Sequence, residues 1–169
     1  MNSPIVHGQN QVPVRMYFEE ILSRKRYELI DEAFHPIGLA HFGSRIIRRE
    51  EGIAEMKAWR VAAPDHRATI DEIAENGDMV HVGWTIRGTH TGPGFTVKPT
   101  GRLVVIRGRS RFRVQNGKIV ESWSDEYRPE LLRQLGVSRS KTFMFLFTLS
   151  LWSTIKVVIS GLTSWHFVG

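Results

Sequence analysis

Residues 101–127 read GRLVVIRGRSRFRVQNGKIVESWSDEY, and their period decides the fold. Val104, Ile106, Gly108, Ser110 and Phe112 fall on one face of an extended chain, and Arg107, Arg109, Arg111 and Arg113 on the other. Such alternation predicts a long strand over 101–114 with one face buried. Gln115-Asn116-Gly117 is a strong hairpin signal, because a tight turn matching strand twist needs positive φ, which Asn and Gly tolerate. Residues 118–127 (KIVESWSDEY) then form the return strand.

Working outward, residues 79–90 (MVHVGWTIRGTH) alternate in the same way and place Val80, Val82, Trp84, Ile86 and His90 inward. Residues 67–75 (RATIDEIAE) make a further strand before the turn at Asn76-Gly77-Asp78. N-terminal to Pro64 the period becomes helical. Pro13 suits a first helical position, and Val14, Tyr17, Phe18, Ile21, Leu22, Leu29, Ile30 and Phe34 recur at three- and four-residue spacing. That predicts one amphipathic helix of about six turns. A loop over 36–43 follows, then a shorter helix over 52–61 with Ile53, Met56 and Trp59 along one stripe, ended by Ala62-Ala63-Pro64. Residues 129–135 form a last short helix closed by Gly136. Helices followed by an antiparallel meander define an α+β domain, with helices on one face of a curved sheet.

The chain has 169 residues, 41% hydrophobic and 24% charged, the composition of an ordinary globular domain. It has no cysteine, which excludes disulfides, thiolate metal sites and a cysteine nucleophile, and leaves the redox compartment unread. The net charge of +6 is local: residues 1–100 carry 12 Lys/Arg against 13 Asp/Glu, and residues 101–141 carry 10 against 4. The arginine stripe at 107–113 explains most of it and reads as a solvated outer face. Nucleic-acid recognition needs aromatic platforms among the basic residues, and alternation places none on that face, so no nucleic-acid partner is expected.

The ends differ from the middle. Residues 1–11 are polar, lack the apolar core of a signal peptide, and read as a disordered lead to a domain at 12–138. In the tail at 139–169, the stretch 142–162 (TFMFLFTLSLWSTIKVVISGL) has Lys156 as its only charge and about the length of a membrane span. It is expected to contact a membrane or to pack on protein. The expected location is cytoplasmic, with membrane association through this tail.

On strict alternation Ile119, Glu121, Trp123, Asp125 and Tyr127 share one inward face. Carboxylates walled by apolar groups are raised towards the range useful for proton transfer, whereas pairing with Lys or Arg at a sheet edge would make them structural. His41 and His90 sit at ends of elements, where cavity mouths form. No HxH or HExxH pattern is present, so no metal is expected, and the absence of GxGxxG, GxxxxGK[ST] and GxSxG gives nucleotide and serine-hydrolase chemistry nothing to stand on.

Several segments together resemble the SnoaL-like polyketide cyclase (ester cyclase) family of the NTF2-like superfamily. Gly88-Thr89-His90-Thr91-Gly92-Pro93 resembles its GTHxG turn, and Pro99-Thr100-Gly101-Arg102 its PTGr segment. Phe112-Arg113-Val114, Asn116-Gly117-Lys118-Ile119-Val120-Glu121 and Trp123 are similar to its fRv-dGKIvE-W signature, and Gln134-Leu135-Gly136 to its closing QLG. His41, Gly52 and Ala63-Pro64-Asp65 match the H…G…fPD spacing upstream. The likeness covers roughly 12–136.

The resemblance implies an NTF2-like α+β cone, with a curved antiparallel sheet wrapped around a long N-terminal helix and an apolar pocket inside. It implies a homodimer acting on an apolar small molecule, and an intramolecular aldol ring closure without metal or cofactor. The family's proton-transferring aspartate lies four residues after the Trp. Here that position is Tyr127, so the role passes to Asp125, with His90 and Tyr127 as hydrogen-bond donors. Trp84, Phe112, Trp123, Glu121, His41 and Phe18 are the expected substrate-binding residues. The other readings are a non-catalytic binding or dimerisation module on the same fold, and an epoxide hydrolase-like activity.

Overall fold

The computed structural model describes residues 8–95 and 97–137. The tail at 142–162 lies outside these residues. Among the described residues no helix is long and apolar enough to cross a membrane.

The N-terminal apolar stripe does not make one helix. It runs as α1 (Gln11–Arg15), a π-helical segment (Met16–Ser23), a 3-10 turn (Tyr27–Leu29) and α2 (Ile30–Ala33). The break falls at Arg24-Lys25-Arg26, three consecutive cations with no apolar residue to bury, where Lys25 takes φ +60°. Lys25 Nζ donates to Ser23 O at 3.0 Å, a carbonyl that the interrupted helix leaves open, and to His66 O at 2.7 Å, which ties the break to the start of β3. The redirected chain packs Ile30 and Ala33 against Ile21.

The expected loop at 36–43 is also different. It is strand β1 (Phe34–Phe42), which pairs antiparallel with β2 (Arg45–Arg48). Pro36 and Gly38 disfavour a strand locally, but parallel pairing of Leu39–Phe42 with Glu121–Ser124 of the return strand overrides that preference. Helix α3 (Arg49–Ala62) follows, then β3 (Arg67–Asn76), β4 (Met79–Thr89), β5 (Leu103–Gln115), β6 (Lys118–Ser124) and α4 (Arg128–Gln134). The six strands form one sheet in the order β2-β1-β6-β5-β4-β3. It is antiparallel except at β1–β6, so the meander is extended by a parallel pair.

The β5–β6 turn has Asn116 at φ 52° and Gly117 at φ 73°, the two positive angles its sequence predicts. The core lies between the concave face of the sheet and the helices. Val80, Val82, Trp84, Val104, Ile106, Phe112 and Val114 from β4 and β5 meet Val14, Phe18, Leu22 and Trp59, closed at one end by Leu131 and Leu135. The fold is thus the α+β cone, with its inner helix broken.

One irregularity decides what faces inward. Val114 pairs with Ile119 but Arg113 pairs with Glu121, so Val120 is an extra residue on β6. Beyond such a bulge the alternation inverts. Ile119, Ser122 and Ser124 therefore face the cavity, and Glu121, Trp123 and Asp125 face outward, against the expectation of an inward row.

Candidate active site

The cone holds a cavity of about 120 Å³. Its walls are apolar and aromatic, contributed by Phe18, Phe34, Met56, Trp59, Trp84 and Phe112, with few polar groups among them.

Trp84 Nε1 donates to Ser110 Oγ at 2.8 Å, and Ser110 Oγ lies 2.7 Å from Ser124 Oγ. This chain crosses the cavity wall from β4 through β5 to β6, and it exists because the bulge turns Ser124 inward. Trp84 is 5% exposed, and its indole fits only because position 108 is glycine: a Cβ there would lie 2.5 Å from Trp84 Cζ2.

Two phenols line the cavity. Tyr127, just beyond β6, accepts from Trp59 Nε1 at 3.2 Å, which leaves its own hydroxyl proton free to donate. Burial pushes its pKa up to about 12, with the Glu55 carboxylate adding to the shift. Tyr17, from the π-helical segment, has its phenol pushed further up, by burial first and then by Tyr127 and Glu55. Both remain protonated donors across the physiological range.

Among the described residues Glu55 is the only carboxylate lining the cavity. It sits at the rim, where Arg128 Nη2 pairs closely with Oε1 and Arg45 Nη2 approaches the same oxygen at 3.4 Å. Arg48 and Arg49 line the cavity beside it, and Arg49 pairs closely with Asp31. Arg45 Nη1 and Arg49 Nε are shielded from solvent and have no hydrogen-bond partner among the described residues. An unmet buried donor of this kind costs about 1–3 kcal/mol.

Of the residues singled out from sequence, Tyr127, Trp84, Phe112 and Phe18 line the cavity. Asp125 does not. It is exposed, and its Oδ2 accepts from Arg109 N at 2.9 Å, extending the β5–β6 edge. The inward, base-like placement expected for Asp125 is therefore corrected, for the bulge at Val120 rotates it out. Trp123 is likewise no cavity wall. It lies on the outer face with Arg111 and Arg113 over its ring at 5.0 and 5.2 Å and His41 stacked on it at 5.3 Å. Glu121 joins this outer cluster, bonded to His41 Nε2 at 2.8 Å and to Arg113 Nη1 at 2.9 Å. The premise that the arginine face carries no aromatic residue is thereby corrected too.

His90 is fully buried but does not line the cavity. Its Nδ1 lies 3.1 Å from Thr100 Oγ1, its ring meets Phe95, and Phe95 packs edge-on against the back of Trp59. Burial lowers the His90 pKa, which keeps the ring neutral at pH 7. Its place is structural, between β4 and the segment that backs the cavity wall.

Sequence reading missed Tyr17, Glu55, Trp59, Ser110 and Ser124. Glu55 had a signal, since it lies four residues before Trp59 on the inner side of α3. Ser124 had none without the bulge. Among the described residues no group of three or more His, Asp or Glu side chains is placed to hold a metal ion.

The SnoaL-like polyketide cyclase family model matches residues 13–135, and this chain belongs to that family. No protein of curated description matches the sequence. Among solved structures, IdmH from Streptomyces antibioticus, described as a proposed polyketide cyclase, is similar at TM-score 0.66 and 27% identity, over 76% of this chain and 99% of that one. AclR from Streptomyces galilaeus, a proposed hydroxylase, is similar at TM-score 0.70 and 22% identity, over 78% of this chain and 87% of that one. TsrD from Streptomyces laurentii is similar at TM-score 0.67 and 21% identity, over 77% and 96%. The last two likenesses concern the fold alone. The family supports a protein of cyclase or isomerase type.

Proposed function

We propose that the cavity binds an apolar, carbonyl-rich small molecule and closes a ring in it by acid/base chemistry without a cofactor. One observation carries this reading: two protonated phenols and, among the described residues, a single carboxylate line a cavity whose walls are mostly apolar. Tyr127 and Tyr17 donate hydrogen bonds to the carbonyl oxygen on which enolate charge develops, the interaction that lowers such barriers most. Glu55 accepts the proton α to that carbonyl. The enolate carbon attacks a second carbonyl of the same molecule, and the resulting alkoxide takes a proton back, so the ring forms with no redox change. The indole and hydroxyl chain of Trp84, Ser110 and Ser124 orients the far end of the substrate.

The test uses 1-tetralone in D2O, with deuterium incorporation at its α carbon read by mass spectrometry. Exchange above background that is lost in Glu55→Gln and reduced in Tyr127→Phe supports the assignment. Exchange unaffected by Glu55→Gln refutes the role of Glu55. A second reading, binding without catalysis, draws on one fact: two guanidiniums, Arg45 and Arg128, already occupy Oε1 of Glu55. Calorimetric binding of 1-tetralone with no exchange would favour that reading.

A further inference from the structure

The cavity rim carries more cation than its neighbours use. Arg48 and Arg49 line the cavity where β2 runs into α3, and Arg45 and Arg128 join them through Glu55, which also lines it. The carboxylates among them are Glu55, shared by Arg45 and Arg128, and Asp31, which is 82% exposed and pairs with Arg49. Glu50 and Glu51, on the first turn of α3, are exposed and do not line the cavity. Glu126, whose Oε1 accepts from Arg128 N at 3.1 Å, is a third carboxylate, so four guanidiniums against three carboxylates leave one positive charge at the mouth. Arg48 has no carboxylate partner among the described residues' ion pairs, although it lines the cavity. The two shielded N–H groups without acceptors, on Arg45 and Arg49, lie within the same cluster.

Buried donors are nearly always paired in folded proteins, so an unmet guanidinium N–H on a residue that lines the cavity, as on Arg49, asks for an acceptor that enters with the ligand. A guanidinium presents a planar fork that matches a carboxylate, and the bond is stronger for being charged at both ends. Resting on the reading that the cone holds an apolar body, we propose that the ligand is a free carboxylic acid, with its carboxylate at the rim on Arg48 and Arg49 and its apolar part inside. Rim and interior thereby divide the work. The charged end fixes depth and orientation, and the reacting carbonyl is set at the height of Tyr127.

Isothermal titration calorimetry of the full chain with three probes of one ring system tests this: 2-naphthoic acid, its methyl ester and 2-naphthyl phosphate. The acid is expected to bind about tenfold more tightly than the ester at low salt, a preference that added salt reduces. Arg49→Gln and Arg48→Gln should each remove most of that preference while ester binding is unchanged, with thermal melts confirming that each variant is folded. Acid and ester binding equally, or both weakened alike by the substitutions, would overturn the proposal and leave the apolar cone intact. Tighter binding of the phosphate than of the acid would overturn the choice of carboxylate. Failure of all three probes to bind would count against the cone reading itself and take the proposal with it.

Discussion

Replacing Gly108 with alanine should destabilise the domain, although the same change in a strand ordinarily helps. A glycine in a strand interior costs about 0.5–1 kcal/mol relative to alanine through backbone entropy, so the local effect of Gly108→Ala is favourable. Against it stands the new methyl, 2.5 Å from Trp84 Cζ2 and 2.8 Å from Cη2. Trp84 cannot swing outward: it is 5% exposed and tied to Ser110 at 2.8 Å. Overpacking of a filled core costs about 1–3 kcal/mol, so the net loss should be about 1–2 kcal/mol. The matched control is Gly83→Ala, whose Cβ would stand 2.6 Å from Glu72 Cγ, a contact nearly as close on paper. Glu72 is 67% exposed and flexible, so it moves aside and the control should lie near wild type. Urea unfolding followed by far-UV circular dichroism measures both. Gly108→Ala matching or exceeding wild-type stability would refute the claim that this glycine exists to seat the Trp84 ring.

Other consequences can be measured directly. The neutral, buried His90 and His66 have pKa values lowered chiefly by burial, while the unfolded chain binds protons near the ordinary value of about 6.5. Stability is therefore full above that pH and falls as pH drops below it, and urea midpoints at pH 5 and 7.5 should differ less in His90→Asn than in wild type. With Tyr127 pushed up to about 12 and Tyr17 raised further, two of the three phenols should ionise only with alkaline unfolding, so the absorbance rise before unfolding should be that of one phenol, the half-buried Tyr27. Tyr127→Phe strands the Trp59 indole N–H, which should cost about 1–3 kcal/mol in chemical denaturation unless water reaches it through the cavity.

The strands β3 to β6, the hairpin turn and α4 were legible because period and turn chemistry are local, and the cavity walls from β4 and β5 followed from alternation. Two features were not. The break at 24–26 interrupts a helical stripe whose apolar residues lie on both sides of it, and spacing alone does not say whether a helix continues through three cations. Strand β1 depends on a parallel partner some eighty residues away, which no local preference of Pro36 or Gly38 could announce.

The bulge at Val120 had the largest consequence for function, since it exchanges the inner and outer faces of a strand within one residue. Without it Glu121, Trp123 and Asp125 would enter the cone, and Ser122 and Ser124 would leave it. Deleting Val120 does not do this, because it removes the extra residue itself: Glu121 then follows Ile119 directly, and the regular ladder keeps Ser122 and Ser124 inside and Glu121, Trp123 and Asp125 outside. The deletion should therefore keep the fold, with Glu121 still on His41 and Arg113 and Ser124 still on Ser110. The damaging change is an alanine inserted in β5 between Arg113 and Val114, which gives Val120 a partner. Regular alternation through that pair must turn over one side of it, putting either Val114 and Ile119 into solvent or Arg113, Glu121 and Trp123 into the apolar core, where unpaired charges do not persist. Proton NMR of the two variants separates the cases: dispersed methyl and indole resonances in the deletion and their collapse in the insertion are expected. Collapse of the deletion, or an insertion variant as well dispersed and as stable as wild type, would show that the unpaired residue at 120 is not what sets the two faces.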